Sequence, residues 1–298
     1  MTPYEHLLAR LLPARRFGIV LGLERMNAIF ERLGHPERRL GRVILVGGTN
    51  GKGSTVAMIA QLLQLDAAHA NRIGRVAMYT SPHLSCLRER ITFLSHRAGE
   101  HGMIDEESIV AAADRVSAAG GDELTFFEQL TAIACVAIAE RGVDFTVLEV
   151  GLGGRLDATN AIPAEVAVVT GVAMDHAAIL GDTLAKIALE KAGIFKPEQK
   201  VVIGASGDPE AVPVLVEAAR KLGAKITVVD DAAIADIEAV ATSHLGAYQQ
   251  RNVATAFAAV AKLDRWVLRQ SVMDLQPPPG RFELVEREGD EVDFILDG

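Results

Sequence analysis

The 298-residue chain is 49% apolar and 5% aromatic, with a formal net charge of −9. Its length fits one large domain or a domain with an appendage, and the acidic balance weighs against a nucleic-acid partner, which needs clustered Lys and Arg. No apolar run approaches the roughly 18 residues of a membrane span, and the charges scattered from Met1 to Arg16 argue against a signal peptide. With Cys86 and Cys135 as its two cysteines, we expect a reduced, cytoplasmic location without a disulfide framework.

Predicted helices and strands alternate along most of the chain. Helical spacing of apolar residues occurs over 4–33, 56–65, 105–118, 127–141, 184–191 and 211–222. Short apolar runs predict strands over 43–46, 75–79, 145–150, 166–170, 200–203 and 226–229. Residues 230–241 indicate a loop with weak helical character. This alternation predicts an α/β fold with a mostly parallel sheet flanked by helices.

The end of the chain has a different pattern. Residues 276–280, Gln-Pro-Pro-Pro-Gly, break any helix and are typical of a linker. Residues 281–287 and 292–296 predict the two strands of a hairpin. We therefore assign residues 1–280 to the main domain and residues 281–298 to a hairpin or linker. Since a natural domain rarely stops directly after an apolar strand, we expect the sequence to be a fragment.

A glycine-rich segment, Gly47 to Thr55, lies between a predicted strand and a predicted helix. It departs from the strict P-loop G-x-x-x-x-G-K-[ST], because Val46 stands where the first glycine is required and an extra glycine follows Lys52. Glycines still let the backbone turn its N–H groups inward as an anion nest, and the following helix adds its positive end. Lys52 would then contact β- and γ-phosphates, and Ser54 or Thr55 would offer a hydroxyl to phosphate or Mg²⁺. The competing interpretation is a glycine turn with a chance lysine.

Two further strands end in side chains that can bind metals. Glu149 stands near the end of strand 145–150, where a buried carboxylate must be paired or metal-bound, and carboxylates bind Mg²⁺ beside nucleotide phosphates. A surface carboxylate or a salt bridge to Arg155 is the alternative. His176 follows the neighbouring strand and so would lie near Glu149, although imidazole is not a preferred Mg²⁺ ligand. Lys191 stands at a helix end, where a solvated lysine is favourable for dipole reasons alone.

A series of short segments, in this order, resembles the folylpolyglutamate synthase/dihydrofolate synthase family of the Mur ligase superfamily. The segments are residues 48–54, 80–84, 89–91, 125–128, 149–160, 175–176, 190–195, 248–252 and 279–283. They run across nearly the whole chain, and the set is far more specific than any one of them. Residues 1–280 would accordingly be the ATP-binding domain with a P-loop.

The resemblance implies how ATP and metal ions would be bound. The ATP phosphates would be held by Gly48, Thr49, Asn50, Gly51, Lys52, Gly53, Ser54 and Thr55. Other parts of the nucleotide would meet Asn252, Arg281 and Asp297. One Mg²⁺ would be bound by Ser81 and Glu149 with Ser54 nearby, and a second metal by His176. Lys191 would be carbamylated, which turns a cation into an anion beside the second metal, and K⁺ is a further cation that the resemblance allows.

The resemblance also implies a substrate and a reaction. Residues at the pteroate or folate site would be Pro82, His83, Leu84, Phe126, Phe127 and Arg155. The reaction would be ATP-dependent amide ligation of L-glutamate to dihydropteroate, to (tetrahydro)folate polyglutamates or to both, through an acyl phosphate. Catalysis would be chiefly positioning and electrostatic stabilisation by Lys52, Glu149, His176 and Lys191. Family members are often monomers and continue into a second α/β domain, so for this chain we expect ligand binding with little or no turnover.

Three other functions compete with this interpretation. A peptidoglycan-precursor ligase of the same superfamily would share the phosphate loop, the Glu and the His, but residues 81–84 and 279–283 favour the folate branch. A P-loop GTPase or kinase would show the strict loop, and a GTPase also an Asn-Lys-x-Asp segment, which the sequence lacks. A nucleotide-binding module without turnover is the third alternative for this chain.

Overall fold

The computed structural model describes residues 1–13, 20–69, 74–95, 102–239, 247–265, 269–276, 281–285 and 294–297. The helices are α1 (Pro3–Leu11), α2 (Glu24–Arg32), α3 (Lys52–His69), α4 (Glu106–Ala118), α5 (Phe126–Arg141), α6 (Ala177–Leu180), α7 (Leu184–Ala192), α8 (Val212–Lys221), α9 (Asp231–Glu238) and α10 (Ala247–Ala261). The strands are β1 (Arg42–Gly47), β2 (Val76–Tyr79), β3 (Ile91–Leu94), β4 (Gly102–Met103), β5 (Phe145–Glu149), β6 (Val166–Val169), β7 (Lys200–Ile203), β8 (Lys225–Val228), β9 (Arg281–Val285) and β10 (Phe294–Asp297).

The described residues form one eight-stranded sheet of order β4-β3-β2-β5-β1-β6-β7-β8. The six strands from β2 to β8 in this order pair in parallel, whereas β3 and β4 add antiparallel pairs at one edge. The predicted α/β fold with a mostly parallel, helix-flanked sheet is therefore confirmed. Strands β3 and β4 were not predicted from the sequence, whereas the strand at the opposite edge, β8, was predicted as residues 226–229.

Helices cover both faces of the sheet, as a sheet of buried parallel strands requires. Successive residues of β1 point to opposite faces: Val43 and Leu45 join one apolar core, and Ile44 and Val46 join the other. The first core includes residues of α1, α2, α4, α5, α7 and α8. The second includes residues of α3, α9 and α10. No helix among the described residues has the length and apolarity to cross a membrane.

Strand β1 lies between β5 and β6, and this order determines where a ligand can bind. In the order of the sheet, β2 lies on one side of β1 and β6 lies on the other. The connection from β1 to β2 therefore runs in one direction along the sheet, and the connection from β5 to β6 runs in the opposite direction. Such a reversal opens a crevice at the carboxyl ends of the strands, where α/β sheets bind ligands.

The predicted terminal strands are present as β9 and β10, which pair antiparallel as a separate two-stranded sheet. The expected turn between them and the proline run at 277–280 lie outside the described residues. The division of the chain at residue 280 therefore stays a prediction.

Candidate functional site

The glycine-rich loop joins β1 to α3 at the centre of the crevice. Gly48 and Gly51 have φ angles of +140° and +77°, which residues with side chains rarely adopt. A Cβ on Gly48 would meet the Thr170 hydroxyl, and one on Gly51 the Asn252 amide. Helix α3 begins at Lys52, earlier than its apolar pattern predicts. Residues 53–55 are therefore in the first turn of the helix. The Thr55 N–H donates to Gly51 O at 2.9 Å, so the N–H groups of residues 53 and 54 are the ones that can bind an anion.

The segment after β6 holds this loop in place. Thr49 donates its backbone N–H to Gly171 O at 2.9 Å and accepts a hydrogen bond at Oγ1 from Ala173 N at 3.0 Å. Thr170 Oγ1 donates to Asn50 O at 2.6 Å. These bonds fix the loop before any ligand binds, as a preorganised phosphate site requires.

Two lysine side chains contact the backbone of this loop. Lys52 Nζ donates to Thr49 O at 3.0 Å, and Lys191 Nζ donates to Gly48 O at 2.8 Å. The side chain of Lys191 is buried, so its interpretation as a solvated helix-terminal lysine is wrong. Burial, and next the charge of Lys52, lower the pKa of Lys191 to about 8. The two cations face a small pocket, here called the glycine-loop pocket, whose lining also includes Asp175, His176 and residues 150–153.

Glu149 ends β5 beside this pocket, and its side chain is buried. The Ser81 backbone N–H donates to Glu149 Oε2 at 2.8 Å, so the two predicted ligands of the first metal are adjacent. Arg155 instead pairs with Glu190, Nε to Oε2 at 3.0 Å, which removes the alternative of a Glu149–Arg155 salt bridge. A buried carboxylate near a serine fits Mg²⁺, which completes its shell with phosphate and water.

The predicted second metal ligand has a different setting. His176 and Asp175 are exposed on the wall of the glycine-loop pocket, with His176 Nε2 3.6 Å from Asp175 Oδ2. Across the described residues, no group of three His, Cys, Asp or Glu side chains could hold a metal ion. A metal at His176 would therefore depend on phosphate, water or a carbamate at Lys191 for further ligands. This role stays a prediction.

Two further residues of the glycine-rich segment, Ser54 and Thr55, lie at the start of α3, and Asn252 of α10 packs against it. Ser54 is buried, and its Oγ accepts a hydrogen bond from Gln249 Nε2 at 3.4 Å. Asn252, also buried on α10, bonds to Gln249 and accepts from Ser206 Oγ at 2.8 Å. Thr55 Oγ1 is buried and has no hydrogen-bond partner within the described part of the chain, and Thr55 is not part of the wall of the glycine-loop pocket. Its contact with phosphate or Mg²⁺ stays a prediction.

The remaining nucleotide residues lie on the terminal strands. Arg281 begins β9 and Asp297 ends β10, and the two are register partners. Their side chains are outside the described residues. Their contacts with a nucleotide, like that of Asn252, stay predictions.

A larger cavity, here called the aromatic cleft, opens beside the glycine-loop pocket with a volume of about 290 Å³. Much of its wall is apolar: Pro82, Phe126, Phe127, Leu152 and Leu156. The predicted Pro82, Phe126 and Phe127 are thus brought together. Leu84 is 68% exposed and, like Arg155, is not part of the wall. Gly151 lines both cavities, and a Cβ there would lie 2.6 Å from the Phe127 ring.

Sequence reasoning missed Asp157, which, like Glu128, lines the aromatic cleft with a buried carboxyl. Its oxygens accept hydrogen bonds from Leu152 N at 2.9 Å and Thr159 N at 3.0 Å. Burial raises the pKa of Asp157 despite these bonds. An Asp two residues before a Thr, after a glycine run, is the signal of an Asx turn that could have located it.

Comparison with known proteins identifies a matching family and shows how much of its relatives' length the chain spans. Residues 46–260 match the family described as Mur ligase middle domain. The chain is 33% identical to the dihydrofolate synthase/folylpolyglutamate synthase of Bacillus subtilis, over 91% of this chain and 68% of that protein. Across the first four curated relatives, the chain spans between 37% and 68% of their length.

Two solved structures share the fold. Escherichia coli FolC in complex with DHPP and ADP has a TM-score of 0.81 and 30% identity, covering 99% of this chain and 70% of that one. A bifunctional folylpolyglutamate synthase/dihydrofolate synthase with Mn, AMPPNP and L-glutamate bound has a TM-score of 0.79 and 28% identity, covering 100% of this chain and 71% of that one.

Proposed function

This chain belongs to the folylpolyglutamate synthase/dihydrofolate synthase family of the Mur ligases, and from that premise we propose that it carries the ATP and pteroate sites of a glutamate ligase. The enzyme joins L-glutamate to dihydropteroate, to (tetrahydro)folate polyglutamates or to both, and forms a C–N bond at the cost of ATP. The relatives' ligands support this assignment, because they pair a nucleotide with DHPP in one structure and with L-glutamate in another.

The observation that carries the proposal is the contact between the two cavities. Gly151 and Leu152 line both the glycine-loop pocket and the aromatic cleft. A γ-phosphate beside Lys52 and a carboxylate projecting from the aromatic cleft would therefore meet across this glycine segment. Phe126 and Phe127 offer faces for a planar ring, and Asp157 offers a buried carboxyl for ring nitrogens.

The chemistry follows in two transfers. An oxygen of the substrate carboxylate attacks the γ-phosphorus, and the bond between the γ-phosphorus and the bridging oxygen of the β-phosphate breaks. ADP departs, and the substrate has become an acyl phosphate. The glutamate amine then attacks the acyl carbon, loses a proton, and expels inorganic phosphate to leave an amide. Lys52 and the first turn of α3 stabilise the charge on the transferred phosphoryl group. No nucleophilic side chain is needed, so positioning provides most of the rate.

The site residues fit a divalent cation beside the phosphates. Ser81 and Glu149, with Ser54, would hold one Mg²⁺, and His176 would bind a second with carbamylated Lys191 alongside. Mg²⁺ would neutralise charge on the phosphoryl oxygens. The lowered pKa of Lys191 supports the carbamate, because a neutral amine is the form that reacts with CO₂. K⁺ remains part of the proposal on the family resemblance alone.

We also propose a cytoplasmic monomer without a nucleic-acid partner, which rests on composition and family. Glutamate-dependent turnover is proposed for a protein of the relatives' length. Ligand binding, in contrast, can be tested on the 298-residue chain itself.

The first experiment is calorimetric titration with a non-hydrolysable ATP analogue, with and without Mg²⁺. Lys52→Ala removes the cation on the loop, whereas Lys186→Ala removes an exposed lysine that pairs with Asp182 and serves as the matched control. We expect Mg²⁺-dependent binding by the wild type and the control, and its loss in Lys52→Ala. A wild-type chain that is folded and binds no nucleotide would contradict the assignment of the loop.

The second experiment separates the folate branch from the other Mur ligases. Titration with dihydropteroate should give saturable binding, and titration with a UDP-muramoyl peptide should give none. The reverse result would favour the peptidoglycan-precursor ligase. Nucleotide binding without either substrate would leave the nucleotide-binding module as the better description.

A further inference from the structure

The loop between β2 and β3 contains Glu89 and Arg90, which the proposed chemistry leaves without a role. The loop is closed at its base, since Thr80 N donates to Arg90 O at 3.0 Å where the two strands begin to pair. Its first residues, Ser81 and Pro82, line the aromatic cleft. Its tip is open to solvent, with Leu84 68% exposed, so apolar burial does little to fix its conformation.

The carboxylate of Glu89 instead binds the tip. It accepts hydrogen bonds from three consecutive backbone N–H groups: Leu84 at 2.7 Å, Ser85 at 2.8 Å and Cys86 at 2.6 Å. Burial acts to raise the pKa of Glu89, but the backbone N–H groups outweigh it, and the pKa lies below its ordinary value. Glu89 is therefore ionised at neutral pH, when its hydrogen bonds to the loop are strongest.

Arg90 connects the same loop to the opposite wall of the cleft. Its side chain is buried and lines the cleft, and Nε donates to His83 Nδ1 at 2.8 Å. Its guanidinium carbon lies 5.7 Å from the centre of the Phe126 ring, within cation–π range. Phe126 begins α5, so one side chain joins the loop to the aromatic wall.

We propose that Glu89 and Arg90 are positioning residues that hold the 81–86 loop as one wall of the pteroate site. The loop also donates the Ser81 N–H to Glu149. A loosened tip would therefore disturb the wall of the aromatic cleft more than it disturbs the position of the Glu149 carboxylate. This inference rests on the proposed function for its ligand, but the loop geometry can be measured without one.

The test uses Glu89→Gln, which keeps the size of the side chain. The amide has one acceptor oxygen, and its NH₂ cannot accept from a backbone N–H, so the three bonds cannot all persist. Asp105→Asn is the matched control, because Asp105 also accepts a backbone N–H, from Ser108 at 2.7 Å, but does so at the start of α4 and away from the cleft. Arg90→Lys tests the second contact while it keeps the charge.

Two readouts are needed: hydrogen exchange of the 84–86 amides without ligand, and affinities for dihydropteroate and for an ATP analogue with Mg²⁺. In Glu89→Gln we expect faster exchange, dihydropteroate binding weaker by about tenfold, and nucleotide affinity within about twofold. Arg90→Lys should weaken dihydropteroate in the same direction, and Asp105→Asn should change neither quantity. Retained nucleotide affinity shows that the variants are folded.

Unchanged exchange in Glu89→Gln would overturn the proposal, and so would faster exchange with unchanged dihydropteroate affinity. Equal loss of both ligands would also overturn it, since that indicates general destabilisation. If the wild type binds nucleotide but no dihydropteroate, the proposed substrate is wrong and the role of Glu89 and Arg90 in holding a pteroate site is wrong with it. Faster exchange in the variant would then still identify Glu89 as the anchor of the loop.

Discussion

The side-chain nitrogen of Lys191 lies 2.8 Å from the carbonyl oxygen of Gly48, so the C-terminal end of α7 touches the phosphate loop directly. Gly154 makes this contact possible. A Cβ on Gly154 would lie 2.8 Å from Glu190 O and 3.0 Å from Lys191 Cα, so only glycine lets the 151–155 segment pack against the end of α7. The same packing buries Lys191 and lowers its pKa to about 8.

Carbamylation of Lys191 should follow this pKa. Below pH 8 the ammonium predominates, and above it the neutral amine, the form that attacks CO₂. At a fixed concentration of dissolved ¹³CO₂, we expect a carbamate ¹³C signal that increases from about pH 7 to about pH 9. Lys191→Arg should abolish the signal. Lys196, whose pKa is also lowered by burial but whose Nζ donates to Asn160, provides the control: Lys196→Arg should retain it, and a signal that survives Lys191→Arg would contradict the carbamate.

Gly51→Ala should damage nucleotide binding in a way that backbone strain alone does not. Gly51 has φ +77° and its Cβ would collide with Asn252, whereas Gly142, at the end of α5, has φ +65° with open space around it. Each alanine should destabilise the fold by about 1 kcal/mol, because a side chain is strained in the left-handed region. In urea unfolding we expect Gly51→Ala to lose at least as much stability as the Gly142→Ala control, because of the added collision with Asn252, and in calorimetry we expect loss of nucleotide affinity in Gly51→Ala alone. Equal affinity in the two variants would show that the loop does not bind the nucleotide.

Glu149→Gln should separate the effect of the metal from that of the nucleotide. The amide keeps the size of the side chain and removes the buried charge that fits Mg²⁺. We expect ATP-analogue affinity with Mg²⁺ to fall at least about tenfold, and affinity without Mg²⁺ to change little. The control is Glu107→Gln, an exposed carboxylate in the first turn of α4. A variant at 149 with wild-type Mg²⁺ dependence would mean that Glu149 has a structural role only.

The parallel sheet was predictable because its inner strands are short, mostly apolar runs. The start of α3 was placed too late, since residues 52–55 carry no apolar period and are helical because of their place after the loop. Strand β3 depends on pairing with β2, and the two-residue strand β4 depends on pairing with β3, so both are set by partners elsewhere in the chain rather than by a local pattern.

Site residues that belong to a recognisable sequence motif could be predicted. Residues whose role depends on burial in the folded chain were harder to predict. Lys52, Ser81 and Glu149 came from motifs, and the structure places them around one crevice. Asp157 and Arg90 line the aromatic cleft only because segments far apart in sequence meet there. Lys191 looked solvated from its position at a helix end, and it is buried because Gly154 allows a neighbouring segment to cover it.

The opposite end of the sheet should affect stability without affecting ligand binding. Glu165, just before β6, accepts hydrogen bonds from Arg42 of β1 at 2.7 Å and from Lys200 of β7 at 2.9 Å, so it joins the amino ends of three adjacent strands. The hydrogen bond from Arg42, more than the opposing effect of burial, lowers the pKa of Glu165 from 4.5 to about 2. Because the folded-state pKa is lowered, this stabilisation is complete above pH 4.5 and is lost as the pH falls towards 2.

Glu165→Gln should therefore reduce the free energy of unfolding by about 1 kcal/mol at neutral pH, a value typical of a well-placed but partly exposed pair. The difference from the wild type should shrink in urea titrations at about pH 3, because Glu165 of the unfolded chain, with its ordinary pKa of 4.5, is then mostly protonated and this proton uptake favours unfolding of the wild type. Glu140→Gln removes an exposed carboxylate that pairs, within the described ranges, with Arg115, and it should cost less. Nucleotide affinity should be unchanged in both variants, because Glu165 lies at the end of the strands away from the crevice. A loss that is equal in the two variants, or one that persists undiminished at low pH, would show that Glu165 does not join the three strands through its charge.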